Sequence, residues 1–168
     1  MDLPFANGGF DVATMALVIA FVPDPAKAVA ELRRVVAPGG IAASYMWDLP
    51  GGLPLAPLFK AMTAMGHPPQ YPPSASVSQM EAMTALWRNA GLLSVESTVV
   101  RITVRFDDFD DLWTSFTLPV GPQAKAVLDL NQAERQILKD TLQPMLPAGP
   151  DGSISYESFA NAVKGRCP

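Results

Sequence analysis

Residues whose chemistry could support catalysis are few and widely spaced in this chain. His67 is the only histidine and lies in the proline-rich loop GHPPQYPP, so its surroundings predict neither a metal site nor a catalytic triad. Cys167 is the only cysteine, which excludes an internal disulfide framework and favours a reducing, cytoplasmic location. The acidic run over residues 107–111 lacks the glycine and terminal glutamate of a calcium loop and is typical of a helix start. We therefore expect no metal.

Composition narrows the classes of partner. The 168 residues carry a net charge of −4, so the chain offers no basic patch for nucleic acid or for an anionic membrane surface. The longest apolar run, residues 12–22, is shorter than the roughly 18 residues that cross a bilayer. Hydrophobic residues make up 49% of the chain, which is enough for a sizeable core. The length predicts a single domain over residues 1–168.

Two apolar segments with a helix between them predict a strand–helix–strand unit. FDVATMAL, residues 10–17, predicts a strand buried on both faces, and IAASYMW, residues 41–47, predicts a second buried strand. Between them, Asp24 and Pro25 are typical of a helix start, and the turn Pro38-Gly39-Gly40 predicts its end. Because one helical crossover joins the two strands, they should run parallel.

Downstream segments predict further helices and two more strands. Ser78 and Glu81 predict a capping box at the start of a helix, and a strand follows over residues 93–106 with a change of phase in its alternation. Asn131 predicts the start of a later helix, and ISYESFANAVKGR predicts the final strand. The fold class is therefore α/β, with helices inserted before the last strand.

The ends of the first two strands are where a ligand site is expected. In open α/β sheets, small molecules bind at the carboxyl ends of the parallel strands. Those ends are residues 15–18 and residues 45–48. Four methionines could either fill the core or line an adaptable apolar substrate pocket, namely Met62, Met65, Met80 and Met83.

Several short motifs, taken in order, resemble one family. Leu3-Pro4-Phe5 precedes Phe10-Asp11-Val12, Pro23-Asp24 follows, and the segment Arg34-Val35-Val36-Ala37-Pro38-Gly39-Gly40 comes last. This combination resembles class I S-adenosylmethionine-dependent methyltransferases of the broad group that includes ubiquinone and menaquinone biosynthesis enzymes (methyltransferase type 11-like). LWRNAGLLSVES resembles the helix before strand six in that family, and FDDFDDLW and LPAGPDGSI resemble a bacterial branch with helices inserted before the last strand.

The resemblance implies a partial Rossmann-like methyltransferase sheet, strands four to seven, in an N-terminally truncated chain. The family binds its cofactor, S-adenosylmethionine, mainly through a Gly-x-Gly loop after strand one, and this chain contains no Gly-x-Gly. We therefore expect methyl transfer to a small, partly apolar acceptor, with impaired or absent activity of these residues by themselves. Strand four would be an exposed edge, which implies a homodimer or a partner chain paired through residues 10–17. The alternative is a non-catalytic remnant that acts as a protein-interaction module through this edge.

The same resemblance implies which residues contact the ligands. The cofactor-binding residues follow the first strand and are Met15, Ala16, Leu17 and Phe21. The substrate-side residues end the second strand and are Tyr45, Trp47 and Asp48. The alternative for each of them is a structural role in the core or at a strand end. No catalytic residue is assigned, because methyl transfer from a sulfonium depends on proximity and orientation more than on a strong base.

Overall fold

The computed structural model describes residues 2–168, and for residues 121–123 it describes the backbone only. Four strands form one sheet in the order β1-β2-β4-β3. The strands are β1 (Phe10–Ala16), β2 (Val36–Trp47), β3 (Leu93–Phe106) and β4 (Ile154–Arg166). The helices are α1 (Pro25–Val35), α2 (Ala56–Ala64), α3 (Met80–Asn89), α4 (Phe109–Thr117), α5 (Gly121–Leu128) and α6 (Gln132–Leu142). The α/β class and the helices inserted before the last strand are as the sequence predicts.

Two compact units divide these elements. The first unit comprises Met1–Leu53, Tyr71–Arg101 and Phe159–Pro168, and the second comprises Pro54–Gln70 and Ile102–Ser158. Strands β3 and β4 therefore supply residues to both units. The single-domain organisation expected from the length stays a prediction.

The first three regular elements form the expected parallel unit. β1 pairs with β2 in parallel, with Ala16 opposite Tyr45. The side chain of Asp24 accepts a hydrogen bond from the backbone nitrogen of Lys27 at 3.0 Å, and Pro25 is the first helical residue. These observations confirm the predicted helix start and strand direction. β2 and β4 are antiparallel.

The Pro-Gly-Gly turn does not end the helix, so that prediction is wrong. α1 ends at Val35, and Val36 is already extended and begins β2. Segment 37–40 instead bulges out of the pairing between β1 and β2. A Cβ on Gly40 would lie 2.5 Å from the carbonyl oxygen of Asp11, so this position needs glycine for the close approach of two backbones.

The core of the first unit lies between α1, α3 and one face of β2. Its buried residues include Val29, Leu32, Val35, Ala42, Met46, Met83 and Trp87. Trp87 has no exposed surface, and its Nε1 donates a hydrogen bond to the carbonyl oxygen of Ala42 at 2.9 Å. This bond fastens α3 to β2 through a fully buried contact.

β1 is not buried on both faces, contrary to the sequence prediction. It stands first in the sheet order, so no strand among the described residues covers its outer edge. Phe10 is 40% exposed and Val12 is 55% exposed. Only Ala13 and Met15 are half-buried against the core, so the strand as a whole is far less buried than its apolar sequence predicts.

The capping box predicted from Ser78 and Glu81 is also wrong. α3 begins at Met80, and its cap residue Gln79 makes no side-chain hydrogen bond to the helix. Ser78 lies in a short 3-10 turn and is fully buried, and its Oγ accepts a hydrogen bond from the backbone nitrogen of Leu49 at 3.1 Å. The serine hydroxyl therefore joins this turn to the end of β2 instead of capping the helix.

The second unit is mainly helical. Its core includes Leu58, Leu112, Phe116, Val127, Leu138 and Leu142. Asp108 caps α4 by accepting from the backbone nitrogen of Asp111 at 2.8 Å, and Asn131 and Glu134 form a reciprocal capping box at the start of α6. Both helix starts confirm the sequence prediction, whereas α5 was not predicted. No helix in the described part of the chain has the length and hydrophobicity that crossing a bilayer requires.

Candidate functional site

The carboxyl ends of β1 and β2 lie side by side. The backbone nitrogen of Leu17 donates to the carbonyl oxygen of Tyr45 at 2.9 Å, one residue beyond the pair Ala16 and Tyr45. The Oγ of Ser44, a buried side chain, donates to the carbonyl oxygen of Met15 at 3.0 Å. The two segments that the sequence identifies as candidate ligand contacts are thus brought to one edge of the sheet.

Leu17 has a strained backbone conformation. Its φ is +57°, in the left-handed region that costs a non-glycine residue about 1–2 kcal/mol. The chain then enters a short 3-10 turn over Ile19–Phe21, whose residues Ile19 and Ala20 are fully buried. The backbone nitrogen of Ser74 donates to the carbonyl oxygen of Ala20 at 3.1 Å and holds this turn in place. Strain imposed by buried packing is a common feature of ligand sites.

The four residues after β1 differ in exposure. Met15 and Leu17 are half-buried and pack against the core of the first unit. Ala16 is exposed, and the ring of Phe21 is 60% exposed. Phe21 therefore offers the largest accessible apolar surface of this group.

The substrate-side candidates at the end of β2 have different surroundings. Tyr45 is 43% exposed, and Trp47 is half-buried against the core. The Asp48 carboxylate is already hydrogen-bonded: its Oδ2 accepts from Nδ2 of Asn161 at 2.9 Å, and its Oδ1 accepts from the backbone nitrogen of Gly51 at 3.2 Å. Because each carboxylate oxygen has a second lone pair, Asp48 can still accept another hydrogen bond in a defined direction.

Asn161 orients Asp48 from the neighbouring strand β4. It is 2% exposed, and its Nδ2 also donates to the carbonyl oxygen of Ser78 at 2.8 Å. Sequence reasoning missed this residue. The available signal was a single amide within the largely apolar stretch SFANAV, where a buried polar side chain needs a partner.

Gly52 completes the turn after β2. Its backbone nitrogen donates to the carbonyl oxygen of Asp48 at 2.7 Å, and its carbonyl oxygen accepts from the backbone nitrogen of Phe159 at 2.9 Å. A Cβ on this residue would lie 2.3 Å from the carbonyl oxygen of Phe159. The turn that holds Asp48 therefore leaves no space for a side chain at Gly52.

An open apolar groove of about 530 Å³ follows β1. Its lining includes Leu3, Phe5, Phe10, Val12, Met15 and Val18. Arg34 fixes the first of these residues: its Nη1 donates to the carbonyl oxygen of Phe5 at 2.9 Å, and its Nη2 donates to that of Leu3 at 3.0 Å. One wall of the groove is thus held by a side chain of α1.

Glu31 completes this arrangement. Its two carboxylate oxygens accept from Nε and Nη2 of Arg34, both at 2.8 Å, and Oε2 also accepts from the backbone nitrogen of Leu3 at 2.9 Å. The hydrogen bonds from Arg34, followed by the one from Leu3, lower the pKa of Glu31 to about 2. Glu31 therefore stays ionised and keeps Arg34 directed at the N-terminal segment. In the described part of the chain, no cluster of three or more histidine, cysteine or acidic residues could hold a metal ion.

Comparisons with known proteins relate this chain to methyltransferases. Residues 1–44 match the family model described as a methyltransferase domain. Over 65 residues, the chain is 37% identical to the demethylmenaquinone methyltransferase of Staphylococcus aureus. That match covers 39% of this chain and 25% of the enzyme, so the chain spans about a quarter of the length of the curated relatives it matches.

Solved structures share the fold. A proposed methyltransferase from Bacillus halodurans superposes with a TM-score of 0.53 at 15% identity, covering 99% of this chain and 68% of that one. A proposed methyltransferase from an antibiotic biosynthesis pathway of Anabaena variabilis gives a TM-score of 0.54 at 13% identity, covering 96% of this chain and 69% of that one. The superpositions support the fold. At this low sequence identity, the roles of the individual site residues stay predictions.

Proposed function

We propose that this chain, whose family and fold are those of class I S-adenosylmethionine-dependent methyltransferases, takes part in methyl transfer to a small, partly apolar acceptor. The proposal rests on one observation: the carboxyl ends of β1 and β2 lie side by side. It is joined by the match of residues 1–44 to the methyltransferase family model. S-adenosylmethionine is the cofactor of this family and supplies the reactive methyl group. The protein then contributes binding, proximity and orientation.

The residues at this edge fit one side of such a cofactor. Met15, Leu17 and the exposed ring of Phe21 offer an apolar wall, with Ala16 at the same strand end. The 168 residues contain no Gly-x-Gly, the sequence that lets a backbone approach the methionine moiety in this family. We therefore propose that these residues by themselves do not catalyse turnover, and we assign no catalytic residue.

The end of β2 forms the proposed acceptor side. The exposed ring of Tyr45 and the half-buried ring of Trp47 offer apolar surface, and the oriented carboxylate of Asp48 can accept a hydrogen bond from a hydroxyl or amine. The Staphylococcus aureus relative is named a demethylmenaquinone methyltransferase. This name supports a small-molecule acceptor for the proposed reaction.

Calorimetric titration of the purified chain with S-adenosylhomocysteine tests the cofactor role. We expect weak, saturable binding without turnover in the presence of S-adenosylmethionine. Phe21→Ala should weaken that binding, because the exposed ring is the largest apolar surface at the end of β1. The matched control is Leu118→Ala, which removes another exposed apolar side chain, 52% exposed, in the second unit. Absence of saturable binding by a folded chain, or equal loss in both variants, would contradict the role of this edge.

A second candidate role is protein interaction through the outer edge of β1. This strand is at the end of the sheet order, and the exposed side chains of Phe10 and Val12 lie along the apolar groove. An open strand edge beside an apolar surface favours pairing with a strand from another chain. We propose a homodimer, or a complex with a partner chain, paired through residues 10–17.

The mass in solution tests this second role. We expect the wild type to be larger than a monomer by light scattering, and Val12→Lys to shift it towards the monomer, because a charged side chain on an edge strand opposes pairing. Val99→Lys is the matched control, since Val99 is 37% exposed on β3 at the opposite end of the sheet. A monomeric wild type at micromolar concentration would exclude the homodimer.

The cytoplasmic location expected from the lone cysteine stays a prediction.

Cys167 is buried, and burial raises the pKa of its thiol. Its Sγ lies 3.7 Å from the carbonyl oxygen of Arg33 as a weak donor. A buried thiol with a raised pKa is a poor nucleophile, so we assign it no chemical role.

A further inference from the structure

The second unit contains its own pocket, here called the helical-unit pocket. It has a volume of about 690 Å³, which lies within the usual range for small-molecule sites. It is formed by α2, the loop over residues 67–70, the end of α5 and the start of α6. Its floor consists of apolar side chains that are buried, namely Leu58, Met62, Val127 and Leu130.

The wall of this pocket favours a flat ring. Phe59 and the adjacent rings of Pro68 and Pro69 line it with rigid apolar surface. Aromatic rings pack well against such surfaces in offset or edge-to-face arrangements. The thioether of Met62 is flexible and makes favourable contacts with aromatic rings. The composition of the lining therefore favours a ring-bearing ligand.

The charged groups of the pocket favour a cation. Lys125 and Asp129 form an ion pair with an N–O distance of 2.6 Å, so these two charges offset each other. Glu134 also lines the pocket, and its Oε2 accepts a hydrogen bond from the backbone nitrogen of Asn131 at 2.8 Å. The partner in that bond is a neutral backbone group, so no ion pair in the described part of the chain offsets the formal charge of Glu134. Together the side chains of Lys125, Asp129 and Glu134 carry one net negative charge.

We propose that the helical-unit pocket binds a small molecule that joins an aromatic ring to a protonated amine. The ring would lie between Phe59 and the two prolines, and the ammonium group would approach the Glu134 carboxylate. This inference does not depend on methyl transfer, because none of the lining residues belongs to β1 or β2.

Three probes with the same ring test the charge preference. They are 2-phenylethylamine, 2-phenylethanol and 3-phenylpropionate, titrated into the full chain and followed by NMR or calorimetry. We expect the ammonium compound to bind about three- to fivefold more tightly than the alcohol, the size expected for one partly exposed charge pair. The carboxylate should bind most weakly, and the differences should shrink at high salt. Equal affinity for all three, or no saturable binding at millimolar probe, would overturn the proposal.

Variants place the binding at this pocket. Glu134→Gln removes the charge but keeps a residue type that still forms a capping box, so α6 should remain folded. It should abolish the preference for the ammonium probe, whereas Asp140→Asn, an exposed charge removal elsewhere on α6, should leave it unchanged. Ala126→Trp, at an exposed lining position, should block all three probes. Unchanged binding in Glu134→Gln and Ala126→Trp would show that the probes bind elsewhere and would refute the assignment.

Discussion

Two adjacent glycines after β2 allow a direct test of how the turn around Asp48 is built. A Cβ on Gly52 would lie 2.3 Å from the carbonyl oxygen of Phe159 and 3.0 Å from Cβ of Asp48. The first distance is more than 1 Å shorter than the 3.4 Å at which ordinary contact begins. A Cβ on Gly51 would meet only Oδ1 of Asp48, at 4.0 Å. Neither glycine has a positive φ, so the two positions differ in space and not in backbone conformation.

Gly52→Ala should therefore be destabilising, and Gly51→Ala should not. The atom opposing the new methyl group is a backbone oxygen in β4, which moves only if the pairing of the turn with Phe159 is disturbed. Overpacking of this kind costs about 1–3 kcal/mol. In a chain of this size that cost corresponds to a lower Tm by about 2–12 °C. At Gly51, the smaller entropy of the unfolded alanine chain should leave stability unchanged or raise it by about 0.4–1 kcal/mol.

Thermal and urea unfolding, followed by both circular dichroism and tryptophan fluorescence, measure this difference. Two probes are needed because the chain has two compact units, and coincident transitions are the condition for one free energy of unfolding. If Gly52→Ala and Gly51→Ala unfold together, the turn is not held against β4 as described. The orientation of Asp48 by Asn161 would then lose its structural support.

Two further predictions concern the core and the N-terminal segment. Trp87→Phe should lower the free energy of unfolding by about 1–3 kcal/mol, because it opens a cavity and leaves the Ala42 oxygen without the indole donor at 2.9 Å. Trp113→Phe is the control: its ring is half-buried and stacked, so the loss in the same urea titration should be smaller. Glu31→Gln should remove a pH-dependent contribution to stability. Since the pKa of Glu31 is lowered from 4.5 to about 2 in the folded chain, that contribution is present above pH 4.5 and is lost as the pH falls towards 2. The Tm values of wild type and variant should therefore converge over this range, and parallel curves of Tm against pH would exclude the contact.

Local signals in the sequence predicted most elements because those signals act within a few residues. Asp108 and Asn131 start helices through hydrogen bonds to nitrogens three residues on, which needs no tertiary structure. Apolar segments likewise predicted all four strands, although β2 begins at Val36 and not at Ile41. The Pro-Gly-Gly turn and Ser78 were misinterpreted for the opposite reason. Gly40 is required because the Asp11 backbone lies too close for a side chain, and the Ser78 hydroxyl accepts a hydrogen bond from Leu49. In each case the two residues are 29 positions apart in the sequence.

The motifs that suggested the family are joined by contacts in the structure. Arg34, in the Arg-Val-Val segment, donates to the carbonyl oxygens of Leu3 and Phe5 in the Leu-Pro-Phe segment. Gly40, from the same stretch, allows the close approach to Asp11 in the Phe-Asp-Val segment. Their joint presence over residues 1–44 therefore reflects one packed corner of the fold. A motif of this kind identifies the fold and does not by itself identify the chemistry.

The polar residues that shape the candidate site lie outside that corner. Asn161 follows it by more than a hundred residues, and Ser78 and Gly52 belong to turns that the family match over residues 1–44 does not reach. Each of them is defined by a partner that is distant in sequence, so a linear pattern could not reveal it. We propose that acceptor binding depends on such contacts, and variants of Asp48 and Asn161 test this proposal. Loss of acceptor binding in Asn161→Ala with unchanged cofactor binding would assign this pair to the acceptor side. Loss of both kinds of binding would make its role structural.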